Sequence, residues 1–210
     1  MLPKHDVLQQ LIDEKIVAVI RGGTAEEAVQ VAKSAIRGGI RVIELTYTTP
    51  QISQVLNQLA DDEVIVGAGT VLDSETARHA ILHGAKFIVS PNFQKSIAAL
   101  CNRYAIPYLP GCMTISEMVQ AMESGCDIIK LFPANQFEPS FLSSVQGPLP
   151  YVRIMPTGGI SLKNINEWLD AGAVAVGIGS DLTKAYRAGG ELAVLQLAAE
   201  YVTIIKKEDN

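Results

Sequence analysis

The segment Asp127-Ile128-Ile129-Lys130-Leu131-Phe132-Pro133 has the pattern of a β-strand that is buried on both faces of a parallel sheet. Lys130 is the one basic residue in this run. Moving an ammonium group out of water costs several kcal/mol unless the group is paired or loses its proton, and an uncharged amine attacks carbonyl carbons. Lys130 is therefore a candidate nucleophile, although a lysine at a strand end can also extend to water or form a structural ion pair.

Seven other apolar runs of strand length occur at regular intervals, and helical patterns of apolar residues separate them. The other runs are Ile16–Ile20, Val42–Leu45, Val64–Gly67, Phe87–Val89, Tyr108–Pro110, Arg153–Pro156 and Ala175–Ile178. A strand followed by a helix, repeated eight times, predicts an α/β fold, a single-domain (β/α)8 TIM barrel over residues 1–210. A doubly wound open sheet is the alternative, but no Rossmann glycine fingerprint follows the first strand.

Helix boundaries support this count of units. Glycines stand where four helices should end, and they supply the left-handed backbone that other residues resist. They are the pair Gly38-Gly39 and the single glycines Gly84, Gly125 and Gly172. Candidate residues for the starts of helices are Thr24, Ser74 and Thr114. A short amphipathic N-terminal helix, Val7 to Ile12, is predicted to cover the bottom of the barrel.

The composition excludes several function classes. With 48% hydrophobic residues, 19% charged residues and no run of eighteen apolar residues, the chain is expected to be soluble, without a membrane partner. The leader Met1–Asp6 has no apolar signal core, which predicts a cytoplasmic location. A net charge of −5 without a basic stripe, together with only 6% aromatic residues, argues against nucleic-acid binding. We expect a small-molecule ligand.

Metal and disulfide chemistry are also not expected. The cysteines Cys101, Cys112 and Cys126 are odd in number and lack Cys-x-x-Cys spacing, which argues against a disulfide framework and against a zinc site. His79 and His83 are four residues apart on a predicted helix, but no carboxylate of evident metal-site type accompanies them. A solvated or packed helix face is the favoured interpretation of this histidine pair.

Polar residues gather at the carboxyl ends of the predicted strands, where (β/α)8 barrels carry their active sites. They are Arg21, Glu44, Thr46, Thr70, Ser90, Lys130, Thr157, Gly179 and Ser180. The second and sixth strands face each other across such a barrel, so Glu44 and Lys130 are predicted to share its cavity. The pair is either catalytic or a buried structural ion pair.

Two glycine-containing turns, Pro156–Ser161 and Gly177–Leu182, follow the seventh and eighth strands. Barrels often bind a phosphate at these positions through backbone N–H groups and a helix N-terminus, although glycine also serves ordinary tight turns. Arg21 ends the first strand, beside the eighth. It offers a bidentate fork for a carboxylate or a phosphate, or else a rim salt bridge.

Taken in order, these motifs resemble the 2-keto-3-deoxy-6-phosphogluconate (KDPG) and 2-keto-4-hydroxyglutarate (KHG) aldolases. The likeness extends from about Ile16 to Leu182. Its most specific parts are Gly67-Ala68-Gly69-Thr70-Val71, Lys130-Leu131-Phe132-Pro133 and Pro156-Thr157-Gly158-Gly159-Ile160. The resemblance implies a metal-independent class I aldolase without a cofactor. It also implies a homotrimer of α/β barrels that acts on a phosphorylated keto acid.

The same resemblance assigns roles to individual residues. Lys130 matches the Schiff-base lysine and Glu44 the general acid/base. Positions near the bound pyruvate moiety are matched by Thr70 and Thr157, and the phosphate loops by Gly158, Gly159, Gly179 and Ser180. Many relatives carry an arginine, four residues after the glutamate, that contacts the keto-acid carboxylate. Here that position is Thr48, and Arg21 is the expected substitute.

The implied reaction is cleavage of 2-dehydro-3-deoxy-6-phosphogluconate to pyruvate and glyceraldehyde 3-phosphate, with 4-hydroxy-2-oxoglutarate as a further candidate substrate. The 2-dehydro-3-deoxy-6-phosphogalactonate aldolases are the alternative. Arg21-Gly22 and Gly179-Ser180-Asp181-Leu182 look like that group, whereas Pro156-Thr157-Gly158-Gly159 favours the gluconate type. From another class, a non-catalytic sugar-phosphate-binding barrel would not form a reducible imine with its ligand.

Overall fold

Parallel strands form the centre of the structure, a computed structural model that describes residues 3–60 and 64–208. Met1 and Leu2, the first residues of the predicted leader, lie outside the described part. The strands that it contains are β1 (Ile16–Ile20), β2 (Val42–Thr46), β3 (Ile65–Gly69), β4 (Ile88–Val89), β5 (Tyr108–Leu109), β6 (Gly111–Cys112), β7 (Ile129–Leu131), β8 (Ile154–Pro156) and β9 (Val176–Ile178). Neighbouring strands pair in parallel throughout this set.

These strands close into a ring of eight. One sheet has the order β5-β4-β3-β2-β1-β9 and the other the order β6-β7-β8, and a bridge between Thr157 and Gly177 joins β8 to β9. Pro110 separates β5 from β6 because proline has no N–H for the ladder, but its carbonyl accepts a hydrogen bond from Lys130 N at 2.9 Å. β5 and β6 are thus halves of one barrel strand. The predicted (β/α)8 barrel is confirmed.

Helices surround the ring and supply the outer core. They are α1 (Pro3–Glu14), α2 (Ala25–Arg37), α3 (Ile52–Gln58), α4 (Ser74–Leu82), α5 (Lys95–Arg103), α6 (Ile115–Glu123), α7 (Ser140–Gln146), α8 (Ile165–Asp170) and α9 (Ser180–Glu208). A 3-10 turn covers Ala134–Gln136. Outward-facing strand residues such as Ile43 and Leu45 pack against apolar helix residues such as Val31 and Val55.

Two of the three predicted helix starts hold as caps. Thr24 and Thr114 accept hydrogen bonds from the N–H groups of Glu27 and Glu117, three residues further on. The third was wrong by one residue, because Asp73 caps α4. Its Oδ1 atom lies 2.6 Å from Thr76 N, and Ser74 is the first helical residue.

The N-terminal helix α1 closes the bottom of the barrel, as predicted. Leu8 and Leu11 are buried against inward-facing residues of the strands, among them Val17 and Phe87. Lys4 Nζ fixes the first turn of the helix through an ion pair of 2.7 Å with Asp127 Oδ2. The lower half of the barrel is therefore an apolar core with no opening toward α1.

The last helix, α9, consists of two helical segments. Gly189 (φ −149°, ψ 17°) and Gly190 (φ 63°, ψ −153°) interrupt it, and the Gly190 conformation is essentially restricted to glycine. By length and composition alone, Ser180–Lys206 would suffice to cross a membrane. The second segment, however, buries Val194, Ala198 and Tyr201 in the outer core, and Ala198 lies close to the end of α2 at Gly38. These three side chains therefore belong to the protein interior, whereas Leu192 in the same segment is 64% exposed.

The packing of α1 against the bottom of the barrel can be tested by mutation. Leu11→Ala is expected to lower the free energy of unfolding by about 2–5 kcal/mol, because the 0% exposed side chain leaves a cavity beneath the barrel. Leu82→Ala is the matched control, since that helical leucine is 65% exposed and its loss should cost about 0.5 kcal/mol or less. Urea unfolding measures both, and equal losses would contradict the role of α1.

Candidate active site

A buried pair of opposite charges lies inside the upper half of the barrel. Glu44 on β2 and Lys130 on β7 approach to 3.7 Å between Oε1 and Nζ, and their side chains are 1% and 6% exposed. Side chains alternate along a strand, so Glu44 follows Val42 into the barrel while Ile43 and Leu45 face the helices. The structure therefore brings together the two charged residues that the sequence predicted to share a cavity.

The hydrogen bonding of this pair is incomplete. The 3.7 Å separation is longer than a hydrogen bond, and within the described residues both carboxylate oxygens of Glu44 lack a hydrogen-bond partner. Thr157 Oγ1 is a third buried atom without one. A purely structural ion pair needs further hydrogen bonds to offset its desolvation. Buried polar atoms without a partner instead suit a site that engages a polar ligand.

Glycines make room for these side chains. A Cβ atom at Gly69, on β3, would lie 1.9 Å from Glu44 Oε1, and one at Gly177, on β9, would lie 2.3 Å from Thr157 Oγ1. No side chain larger than hydrogen fits at either position while Glu44 and Thr157 keep these orientations. Gly69, in the Gly67-Ala68-Gly69-Thr70 motif, thus leaves the space that the Glu44 carboxylate occupies.

Phe132 is a site residue that the sequence reasoning did not single out. Its ring centroid lies 4.9 Å from Lys130 Nζ, a distance that permits a cation–π interaction with the ammonium form. It also lines the adjoining cavity. The alternation of side chains was the available signal, because residues 130 and 132 of an extended chain point the same way.

A cavity of about 620 Å³ opens beside the pair at the carboxyl ends of the strands. Six residues predicted for substrate binding line it: Arg21, Thr157, Gly158, Gly159, Gly179 and Ser180. Glu44 and Lys130 are not part of this lining, but Phe132 and Thr157 connect the cavity to them. Thr70 also lies outside the lining. It follows Gly69 directly and has a left-handed backbone (φ 57°), an uncommon conformation for threonine that concentrates at functional sites.

The first predicted phosphate turn, Pro156–Ser161, has a backbone that favours glycine, because Gly158 and Gly159 have left-handed φ values of 97° and 82°. Asn164 braces the turn, since its side chain donates to Gly159 O at 3.0 Å and accepts from Ser161 N at 2.8 Å. Ser180 begins α9 at the same cavity.

Arg21 is exposed and lines the cavity, and no carboxylate pairs with it among the described residues. This weighs against the rim salt bridge that the sequence left open. The residue after it is held in place, because Gly22 N donates to the buried Thr49 Oγ1 at 3.2 Å. Thr48, which replaces the arginine of many relatives, lines the same cavity.

The remaining candidate groups do not compete with Lys130. The three cysteines are free and buried, and burial raises the pKa of each to about 12, which keeps them protonated near neutral pH. His79 and His83 pack ring to ring, with centroids 4.5 Å apart. Within the described ranges no group of three His, Cys, Asp or Glu side chains is placed to hold a metal ion.

Comparison with known proteins shows a consistent family. The model of the KDPG and KHG aldolase family matches residues 7–194. The KHG/KDPG aldolase of Escherichia coli K12 is 35% identical over 89% of this chain and 90% of its own length. The 2-dehydro-3-deoxy-6-phosphogalactonate aldolase of the same organism is 32% identical over 89% of this chain and 92% of its own length.

The fold agrees with a solved structure of such an enzyme. The KDPG aldolase from Legionella pneumophila, solved with pyruvate captured at low pH as a covalent carbinolamine intermediate, superposes with a TM-score of 0.82. It is 28% identical, and the match covers 95% of this chain and 97% of that one. The likeness therefore spans nearly the whole of both proteins.

The close approach of Gly69 to Glu44 makes a second test. Gly69→Ala is expected to lower the free energy of unfolding by about 1–3 kcal/mol, because its Cβ atom forces the carboxylate out of place. Gly147→Ala is the control, since Gly147 has a right-handed backbone (φ −52°, ψ −61°) and its nearest neighbour would lie 3.6 Å from the new Cβ. Urea unfolding of both variants decides, and a Gly69→Ala protein as stable as the control would refute the steric argument.

Proposed function

Because the chain belongs to the KDPG and KHG aldolase family, we propose that it is a metal-independent class I aldolase that cleaves 2-dehydro-3-deoxy-6-phosphogluconate. The observation that carries this proposal is the buried Lys130–Glu44 pair, 3.7 Å apart, with both carboxylate oxygens open to a proton donor. The solved Legionella relative supports it, because a carbinolamine is the first covalent step of Schiff-base chemistry.

The reaction begins at the C2 ketone of the substrate. The uncharged Nζ of Lys130 attacks this carbon to give a carbinolamine. Glu44 then protonates the carbinolamine hydroxyl, which leaves as water. The product is an iminium ion that joins C2 to Lys130. Phe132 stands 4.9 Å from Nζ, so its ring faces a cationic nitrogen both in the free ammonium and in the iminium.

Carbon–carbon cleavage uses the iminium as an electron sink. When a base removes the proton of the C4 hydroxyl, the C3–C4 bond breaks, its electron pair forms the C2–C3 double bond, and the π electrons of the iminium move to the nitrogen. Glyceraldehyde 3-phosphate leaves, and the pyruvate enamine stays on Lys130. Glu44 then returns a proton to C3, and water hydrolyses the resulting imine to free pyruvate and the amine.

The cavity supplies the binding groups for the two ends of the substrate. Arg21 is proposed to bind the keto-acid carboxylate in place of the arginine absent at Thr48, with Thr70 and Thr157 beside the pyruvate moiety. For the phosphate we propose the backbone of Gly158, Gly159 and Gly179, together with Ser180 at the N-terminus of α9. A soluble homotrimer is also proposed, and a solution mass of one chain would contradict it.

A second candidate substrate is the C4 epimer, 2-dehydro-3-deoxy-6-phosphogalactonate. The E. coli relative named for that activity supports it. We take Thr157 to favour the gluconate epimer, because it lines the cavity and its hydroxyl has no hydrogen-bond partner among the described residues. The other E. coli relative makes 4-hydroxy-2-oxoglutarate a third substrate to assay.

Trapping of the imine tests the chemistry. Borohydride reduction with pyruvate, followed by peptide mass analysis, is expected to place the adduct on Lys130 and to abolish turnover. Lys130→Met should give no adduct, whereas the control Lys95→Met, at an exposed position on α5, should be trapped like the parent protein. Glu44→Gln should still form the adduct, but roughly 10²–10⁴-fold more slowly. An adduct on another lysine, or none, would refute the proposal.

Turnover of the two epimers tests the substrate. We expect kcat/KM to be about tenfold or more higher for the gluconate epimer, since one well-placed polar contact can discriminate by that factor. Thr157→Val, which keeps the shape and removes the hydroxyl, should reduce the ratio. Thr157→Ser is the control that keeps the hydroxyl. A higher kcat/KM for the galactonate epimer in the parent protein would establish the alternative.

A further inference from the structure

Helix α9 presents two cationic side chains to the cavity. Lys184 and Arg187 lie in its first two turns, and both line the cavity. Arg21, which follows the neighbouring strand β1, lines the same cavity. Residues three apart on a helix share a face, so α9 directs both charges to the same wall. Neither was singled out from the sequence, and the phosphate turns described above consist of uncharged residues.

We infer that Lys184 and Arg187 form a cationic wall that makes the site select phosphorylated substrates over unphosphorylated keto acids. This inference rests on the proposed function and adds to it. The backbone turns supply hydrogen bonds for an anion, whereas the wall supplies formal charge. A phosphate carries a charge of about −1.5 to −2 and three acceptor oxygens. The turns and the wall together therefore favour a substrate that ends in a phosphate over one whose end is smaller or less charged.

The position of Arg187 is restrained by α2. Its Nε atom lies 3.9 Å from Glu27 Oε1, while Glu27 Oε2 accepts a hydrogen bond of 2.5 Å from Gly23 N. This hydrogen bond ties the carboxylate of Glu27, on α2, to the loop that follows Arg21. At 3.9 Å the contact is an ion pair and not a hydrogen bond, so it leaves the N–H donors of the guanidinium available to a ligand.

Lys184 is restrained within α9 itself. Its Nζ atom lies 3.9 Å from Asp181 Oδ1, and the other oxygen of Asp181 accepts a hydrogen bond of 3.1 Å from the buried Tyr201. Tyr201 belongs to the second segment of α9, beyond the break at Gly190. The two segments are thus tied together at the point where the first one begins beside the phosphate turns.

The charges at this mouth sum to a positive value. Arg21, Lys184 and Arg187 oppose Asp181 and Glu27, which leaves a net charge of +1, in a chain whose formal net charge is −5. A local positive potential in an acidic protein attracts dianions toward the cavity. The side chains of Lys184 and Arg187 are 77% and 71% exposed, so salt should screen their effect.

The experiment compares a phosphorylated with an unphosphorylated substrate in the double variant Lys184→Ala/Arg187→Ala. We expect kcat/KM for 2-dehydro-3-deoxy-6-phosphogluconate to fall about tenfold or more at low ionic strength, mainly through KM, because two charge-assisted contacts are lost. Exchange of the pyruvate methyl protons does not use the phosphate end of the site, so its rate should change less than about twofold.

The control is Lys95→Ala/Arg103→Ala, which removes the same two charges from exposed positions on α5. It should leave both rates unchanged at low ionic strength. In the intact protein, raising the salt concentration should reduce kcat/KM for the phosphorylated substrate, and the Lys184→Ala/Arg187→Ala protein should lose most of that dependence. Equal losses of turnover and of pyruvate exchange, or no loss of either, would overturn the inference.

Binding of inorganic phosphate separates this inference from the proposed function. Calorimetric titration should give a dissociation constant that is about tenfold higher in the Lys184→Ala/Arg187→Ala protein than in the parent or in the α5 control. Without a trapped adduct on Lys130 the aldolase proposal fails, yet the phosphate titration still tests the wall. Trapping on Lys130 together with an unchanged phosphate affinity would overturn the wall alone.

Discussion

The ion pair between Glu44 and Lys130 is the constraint on which the rest of the structure depends. Two charges taken out of water destabilise a fold unless the surrounding atoms hold them at close range. The closed ring of parallel strands meets that need, because side chains from β2 and β7 extend into the barrel and bring Glu44 Oε1 within 3.7 Å of Lys130 Nζ. Gly69 leaves the space in which the Glu44 carboxylate lies, so the position of this charge depends on the absence of a side chain on β3.

One end of the barrel contributes mainly to stability, and the other end carries the candidate active site. Toward the amino ends of the strands, α1 seals an apolar core with Leu8 and Leu11. Toward the carboxyl ends, glycine turns and the Thr157 hydroxyl line an open cavity, and the Glu44–Lys130 pair lies next to it inside the barrel. Helix α9 serves both purposes, since its first segment borders the cavity and its second buries Tyr201 in the outer core. The break at Gly189 and Gly190 allows the two segments to point in different directions.

Much of this organisation could be predicted from the sequence, because it follows from local periodicity. Apolar runs and glycine joints predicted the eight barrel strands and the ends of four helices. Residue type and position within a run predicted Glu44 and Lys130 as partners. The cap of α4 was missed, because Asp73 and Ser74 are both good capping residues and only the backbone shows which precedes the helix. The split of one strand at Pro110 was also missed.

The sequence by itself determined the class of fold and the family, since these depend on patterns within about twenty-five residues and on motif identity. Only the tertiary structure decided which side chains meet. Arg187 reaches the cavity beside Arg21, 166 positions away in the chain, and Phe132 faces the Lys130 ammonium. The physical reason is that these distances depend on how the ring closes and on the space that glycines leave inside it, and no local pattern of residues encodes either quantity.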